Sequence, residues 1–116
     1  MNENYDIKIP SKAGAWALLI FSSIIALVDV YFWLPFFRTC QAYDHNILLA
    51  IKDATKQFAL FAGIAFVYFV FNTIANIKFS HCRKFWGPSF GNFVARVIII
   101  LEYAAYAFAI VALFVF

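Results

Sequence analysis

With 116 residues, 66% of them apolar and only 13% charged, this chain has too little polar material to cover a water-facing surface; an ordinary soluble domain carries roughly 45–50% apolar and about 25% charged residues. The net charge of +3 comes from nine basic residues scattered along the chain, not clustered among aromatics in a polar stretch, which argues against a nucleic-acid surface. The cover must come from lipid and from other integral membrane subunits, so the expected fold is an all-α integral membrane protein with three transmembrane helices.

Residues 1–10 are polar and of mixed charge, and Ser11 stands where a helix N-cap belongs, ahead of an apolar run over residues 13–37. Its roughly 25 residues reach about 37 Å at about 1.5 Å each, enough to cross a hydrocarbon core of about 30 Å with some tilt. Pro35 is expected to mark the exit of this helix. The run is too long for a signal peptide, and FWLPFF replaces the small-residue cleavage pattern, so an uncleaved anchor is expected. Residues 38–57 are the most polar internal stretch, yet Ile47, Leu48, Leu49 and Ile51 make it partly amphipathic. A short interfacial helix is expected over residues 44–57, capped by Asp44. The second span covers residues 58–79. It is followed by the basic turn SHCRKFWGPSFGN, where Gly87, Pro88 and Gly91 oppose helix continuation. Ser89 or Asn92 then caps a third span over residues 93–116, which runs to Phe116 with no polar tail. The whole is a single membrane domain without an internal repeat, which removes support for a repeat-built transporter.

Three spans put the N-terminus and the second loop on one side of the membrane. Lys8, Lys12, Lys78, Arg83, Lys84 and Arg96 fall there, against Arg38, Lys52 and Lys56 opposite. The positive-inside rule then predicts a multi-pass protein of the cell (plasma) membrane with its N-terminus cytoplasmic and its C-terminus outside. Trp16 and Trp86 would sit toward the cytoplasmic boundary, Tyr31 and Trp33 toward the outer one.

Two carboxylates, Asp29 and Glu102, lie deep in apolar runs, where each costs about 2.5–3.5 kcal/mol at a helix centre. Each is expected to be protonated or to hydrogen-bond to a neighbouring helix or subunit, and Asn72, Asn76 and Tyr106 are the other polar residues expected on packing faces inside the membrane. Helical spacing gathers Ser22, Ala26, Asp29 and Trp33 on one stripe of the first span. Ala62, Ala65, Tyr68, Asn72 and Asn76 share a stripe of the second, and Ala95, Glu102, Ala105, Tyr106, Ala109 and Ala112 a stripe of the third. Small and polar residues in such rows mark helix–helix contact faces. Counted from the span centres, Glu102 and Asn72 differ in depth by only about 3 Å, which predicts a hydrogen-bonded pair. Asp29 lies in the outer half, nearer Tyr106, so the acids are not expected to form one dyad.

Cys40, Asp44, His45, His81 and Cys82 are metal-ligand types, but the first two loops separate them across the bilayer. No metal site within this chain is expected, although Asp44 and His45 could form a half-site completed by another subunit. Neither histidine lies inside a span, which disfavours haem, and no histidine matches Ser22 or Ser23 in depth for nucleophilic catalysis. The chain is therefore expected to be non-catalytic on its own: a small accessory subunit of a larger membrane enzyme complex, binding no cofactor by itself. The alternative is a homo-oligomeric channel or small transporter that uses Asp29 and Glu102.

The segment AGAWALLIFSSIIALVDVYFWLPFF, the three-span length and the richness in Ile, Phe, Lys and Asn resemble the small accessory subunit of archaeal ammonia monooxygenase. That resemblance implies a copper membrane monooxygenase as host, with copper held by the partner subunits. Small subunits of respiratory complexes fit the same physical description.

Overall fold

A computed structural model describes residues 12–116; the expected Ser11 cap and Lys8 lie outside the described residues. The chain is all-α. It forms a long helix α1 (Lys12–Ala42), a short helix α2 (Ile47–Asp53), and two further long helices, α3 (Thr55–Trp86) and α4 (Phe90–Val115). The three long helices are each long and apolar enough to cross a membrane, and the bundle they make is 61 × 27 × 17 Å. This is a multi-pass membrane protein with three spans. Large apolar side chains such as Leu27, Phe66 and Phe90 are turned outward, where lipid is a suitable neighbour and water is not.

The helices overrun the expected spans, for local reasons. Pro35 lies inside α1 and does not end it. Proline removes one N–H from the ladder, and neighbouring helices compensate for that within a membrane protein. Here Phe36 and Cys40, just beyond it, are fully buried, and Phe36 meets Phe58 of α3 with ring centroids 5.3 Å apart. The real stop is a left-handed turn at Asp44 (φ 54°) and His45 (φ 63°), with the His45 N–H donating to the Cys40 carbonyl at 2.6 Å. That six-to-one closure is a helix C-terminal motif, and Asp and His tolerate the left-handed region better than most residues. Asp44 thus closes α1 and does not cap α2. The cap is Asn46, two residues on, whose side chain accepts from the Leu49 N–H at 3.3 Å.

The expected interfacial helix over residues 44–57 is also shorter than its apolar pattern suggests. α2 breaks at Ala54 (φ −119°, ψ 50°), and Thr55 opens α3. The Thr55 hydroxyl donates back to the Ile51 carbonyl at 2.7 Å, which supplies a partner for an end group that the break leaves open. At the other end, α3 continues through Arg83 and Lys84 and stops at Gly87, whose φ of 87° suits a residue without a Cβ. The two basic residues in the last turn complement the negative end of the helix dipole. Ser89 caps α4, accepting from the Asn92 N–H at 3.1 Å, so α4 begins three residues before the expected position.

α1 and α3 lie against one another along most of their length, and α4 rests on both. Apolar side chains form one cluster near each end of the bundle. Phe36, Cys40, Ala50, Ala54, Phe61 and Leu113 gather toward the first loop. Ala15, Leu19, Ala75, Phe79, Ala95 and Ile99 gather toward the second. Lys12 sits over the Trp86 ring, 5.0 Å from its centroid, so the start of α1 and the end of α3 share one end of the bundle. Between the clusters lie the buried polar residues Ser22, Asp29 and Asn72.

Candidate functional site

The middle of the bundle holds a connected set of polar side chains. Ser22 and Ser23 come from adjacent positions of α1, with Asp29 two turns further on. Tyr68 and Asn72 stand one turn apart on α3, and Glu102 and Tyr106 one turn apart on α4. This spacing places each pair on one helix face. The Ser22 hydroxyl faces the Asn72 amide oxygen at 3.2 Å and its own Leu19 carbonyl at 2.9 Å. The Asn72 Nδ2 donates to the Tyr68 hydroxyl at 3.0 Å, and that hydroxyl donates to Glu102 Oε1 at 2.9 Å. Ser23 donates to Glu102 Oε2 at 2.5 Å. Glu102 therefore has a donor on each oxygen, one from α1 and one from α3.

The expected direct bond between Glu102 and Asn72 is replaced by this three-residue link. Counting along the helices brings the two to a similar depth, but their separation across the bundle depends on helix rotation. The long phenol of Tyr68, four residues before Asn72, spans the distance that the short amide does not.

Asp29 is held separately. Tyr106 donates to its Oδ2 at 2.7 Å, while Oδ1 is buried with no hydrogen-bond partner. No hydrogen bond joins the two acids. Their tyrosines instead meet ring to ring, Tyr68 and Tyr106 being stacked with centroids 4.7 Å apart, a favourable offset arrangement for aromatic pairs. Asn76 stands apart from this set: its Oδ1 is buried without a partner, as is Arg96 Nε, while another guanidinium nitrogen of Arg96 donates to Ser80 at 2.5 Å.

Other polar groups tie α4 down along its length. Asn92 Nδ2 donates to the Phe79 carbonyl at 2.8 Å, and Trp33 Nε1 to the Ala109 carbonyl at 3.1 Å. His45 Nδ1 lies 3.1 Å from the Leu113 carbonyl; since a carbonyl only accepts, that nitrogen carries the proton. His45 thus serves a carbonyl in the last turn of α4, where the helix itself supplies no partner.

The metal-ligand types remain apart. Cys40 is buried in the cluster near the first loop, and Cys82 is buried at the opposite end, both as free thiols. Among the described residues no three His, Cys, Asp or Glu side chains converge as a metal site would require. Ser23 and Tyr68, which complete the Glu102 site, are not among its expected partners. Their sequence signal is modest: a hydroxyl beside Ser22, and a tyrosine one turn from Asn72.

The arrangement joins three helices through two carboxyl groups, each held by a phenol, in a layer with apolar clusters above and below. No family model matches this chain, and neither a curated protein nor a solved structure does, so its function is read from these side chains.

Proposed function

We propose that this chain is a small, non-catalytic accessory subunit that packs among the larger integral membrane subunits of an enzyme complex. The observation that carries the reading is the use made of its intramembrane polar groups. Glu102 has one oxygen bonded by Ser23 and the other by Tyr68, and Asp29 is bonded to Tyr106. Such bonds are inter-helix glue, the ordinary role of polar residues in membrane bundles. The outward surface is almost wholly apolar along the spans, suited to contact with lipid and with other membrane helices. A copper membrane monooxygenase of the ammonia-oxidising type is the first host to test, on the resemblance carried by the first span, with copper held by other subunits. A respiratory complex is the second.

The test pairs isolation with one substitution. Purified from its native membrane in mild detergent, the chain is expected to travel with larger integral subunits. Glu102→Gln keeps the side-chain size and one carbonyl oxygen. Its new N–H₂ group can donate to Ser23, whose own proton then turns to the Leu19 carbonyl 2.9 Å away. Assembly and host activity should therefore both survive. A proton relay needs a group that ionises, which glutamine does not. A chain that purifies alone, conducts protons in liposomes and loses conduction in Glu102→Gln would replace the accessory reading with the channel or transporter one.

Orientation is proposed from the basic residues as N-terminus cytoplasmic, in the plasma membrane. The native cysteines are poor reporters because both are buried. Single cysteines at Lys52 and Lys84, both exposed, should label from outside intact cells at position 52 and only after permeabilisation at position 84. The reverse pattern would invert the topology.

A further inference from the structure

Between α1 and α4 runs a cleft of about 500 Å³, walled by Ala26, Leu27 and Val30 on one side and by Ala105, Phe108 and Ala109 on the other. Its lining extends from Ser23 to Trp33 along α1, about 15 Å or nearly three helical turns. Asp29 lines it too. That side chain is only 1% exposed, and its Oδ1 is the oxygen without a partner. A buried polar atom left unpaired within hydrocarbon is costly, and lipid tails have nothing to offer it.

We infer that this cleft seats a transmembrane helix of another subunit, one that brings a hydrogen-bond donor side chain to Asp29 Oδ1. The inference rests on the accessory-subunit reading and names the surface through which it would act. Three observations select a helix over other occupants. The cleft is elongated along the bundle. Ala105 and Ala109, one turn apart, together with Ala26 across the gap, allow a helix backbone to approach closely. The unpaired carboxyl oxygen also favours an occupant that carries a polar side chain at this depth over an acyl chain, which carries none.

A second copy of this chain does not supply it. Face-to-face pairing of two clefts would bring two Asp29 carboxyls together at one depth with no donor between them. The outward phenol nearest in depth, Tyr31, is two residues further along and about 200° around α1, on the far side from Asp29. The exposed Thr73 is at the wrong depth. Ser22 and Asn72 are level because they are bonded, so Asp29 lies about 10 Å from Asn72 along the membrane normal, on the side away from Thr73.

Photo-crosslinking in the native membrane tests the inference. A benzophenone side chain is placed singly at Leu27, at Phe108, and at the outward Phe66 of α3 as control, followed by mass-spectrometric mapping of the adducts. Leu27 and Phe108 should both capture the same membrane-spanning segment of one other protein, and that segment should contain a donor side chain; Phe66 should not capture it. In a parallel variant, Ala105→Leu narrows the cleft from an outward position and should lower recovery of that partner roughly tenfold, with the chain itself accumulating normally. Crosslinking uses the otherwise native chain, so it remains decisive even if Ala105→Leu fails to accumulate. Capture from Phe66 alone would overturn the cleft assignment and leave the accessory reading standing, as would cleft adducts only to lipid, to another copy, or to a segment without a donor. If no position captures another protein and the chain purifies alone, the accessory reading falls and the cleft assignment with it.

Discussion

α3 is held to α1, and α4 to the rest of the bundle, by different means. α1 meets α3 mainly through shape: Ala15 and Leu19 are buried with Ala75 and Phe79, Phe36 meets Phe58, and Ser22–Asn72 adds one side-chain bond. α4 relies far more on polar side chains. Glu102, Tyr106, Asn92, Arg96 and the carbonyls of Ala109 and Leu113 all bond to other parts of the chain. Lipid tails are as apolar as leucine, so there is no hydrophobic drive to bring helices together inside a membrane; contact must come from close fit or from hydrogen bonds. The bundle uses both, close fit mainly between α1 and α3 and hydrogen bonds mainly around α4. The consequence is that α4 stands off far enough from α1 to leave a cleft, bridged at points by hydrogen bonds.

Three substitutions test this division, each read from reversible unfolding in mixed detergent micelles. Ala75 is fully buried, and Ala75→Leu forces extra volume where helices fit closely. It should cost the most, about 1–3 kcal/mol, the usual range for overpacking. Tyr106→Phe keeps the ring stacked on Tyr68 but leaves both Asp29 oxygens without a donor from this chain, and should cost about 1–2 kcal/mol. Ser23→Ala takes one donor from Glu102 while Tyr68 remains, so the loss should be near the membrane average of about 0.6 kcal/mol. If Tyr106→Phe proved costlier than Ala75→Leu, the polar layer and not close fit would be the main support of the bundle. Equal losses for Tyr106→Phe and Ser23→Ala would mean that the difference between a half-satisfied Asp29 and a fully partnered Glu102 has no energetic weight.

The two acids also show how far sequence reading carries. Their presence deep in apolar runs, and the need for something to satisfy them, follow from composition and position alone. The pairing of Asp29 with Tyr106 agrees with a simple count of depth. The partner of Glu102 does not, because depth fixes only one of the coordinates that decide a contact. Helix rotation and side-chain length supply the others, and these put Tyr68 between Glu102 and Asn72.

Element ends follow the same pattern. Three long apolar runs dictate three spans, since a backbone in hydrocarbon must satisfy its polar groups internally and a helix does so with its own ladder. The amino-acid sequence by itself therefore determined the class of fold, the number of crossings and the residues that had to be satisfied within them. It did not determine that α1 would continue through Pro35 to Ala42, because that depends on the burial of Phe36 and Cys40 against residues distant in sequence. Nor did it reveal that one oxygen of Asp29 would be left without a donor beside an open cleft. Those features were decided by tertiary structure, which sets the distances and rotations between helices that hydropathy and periodicity leave free.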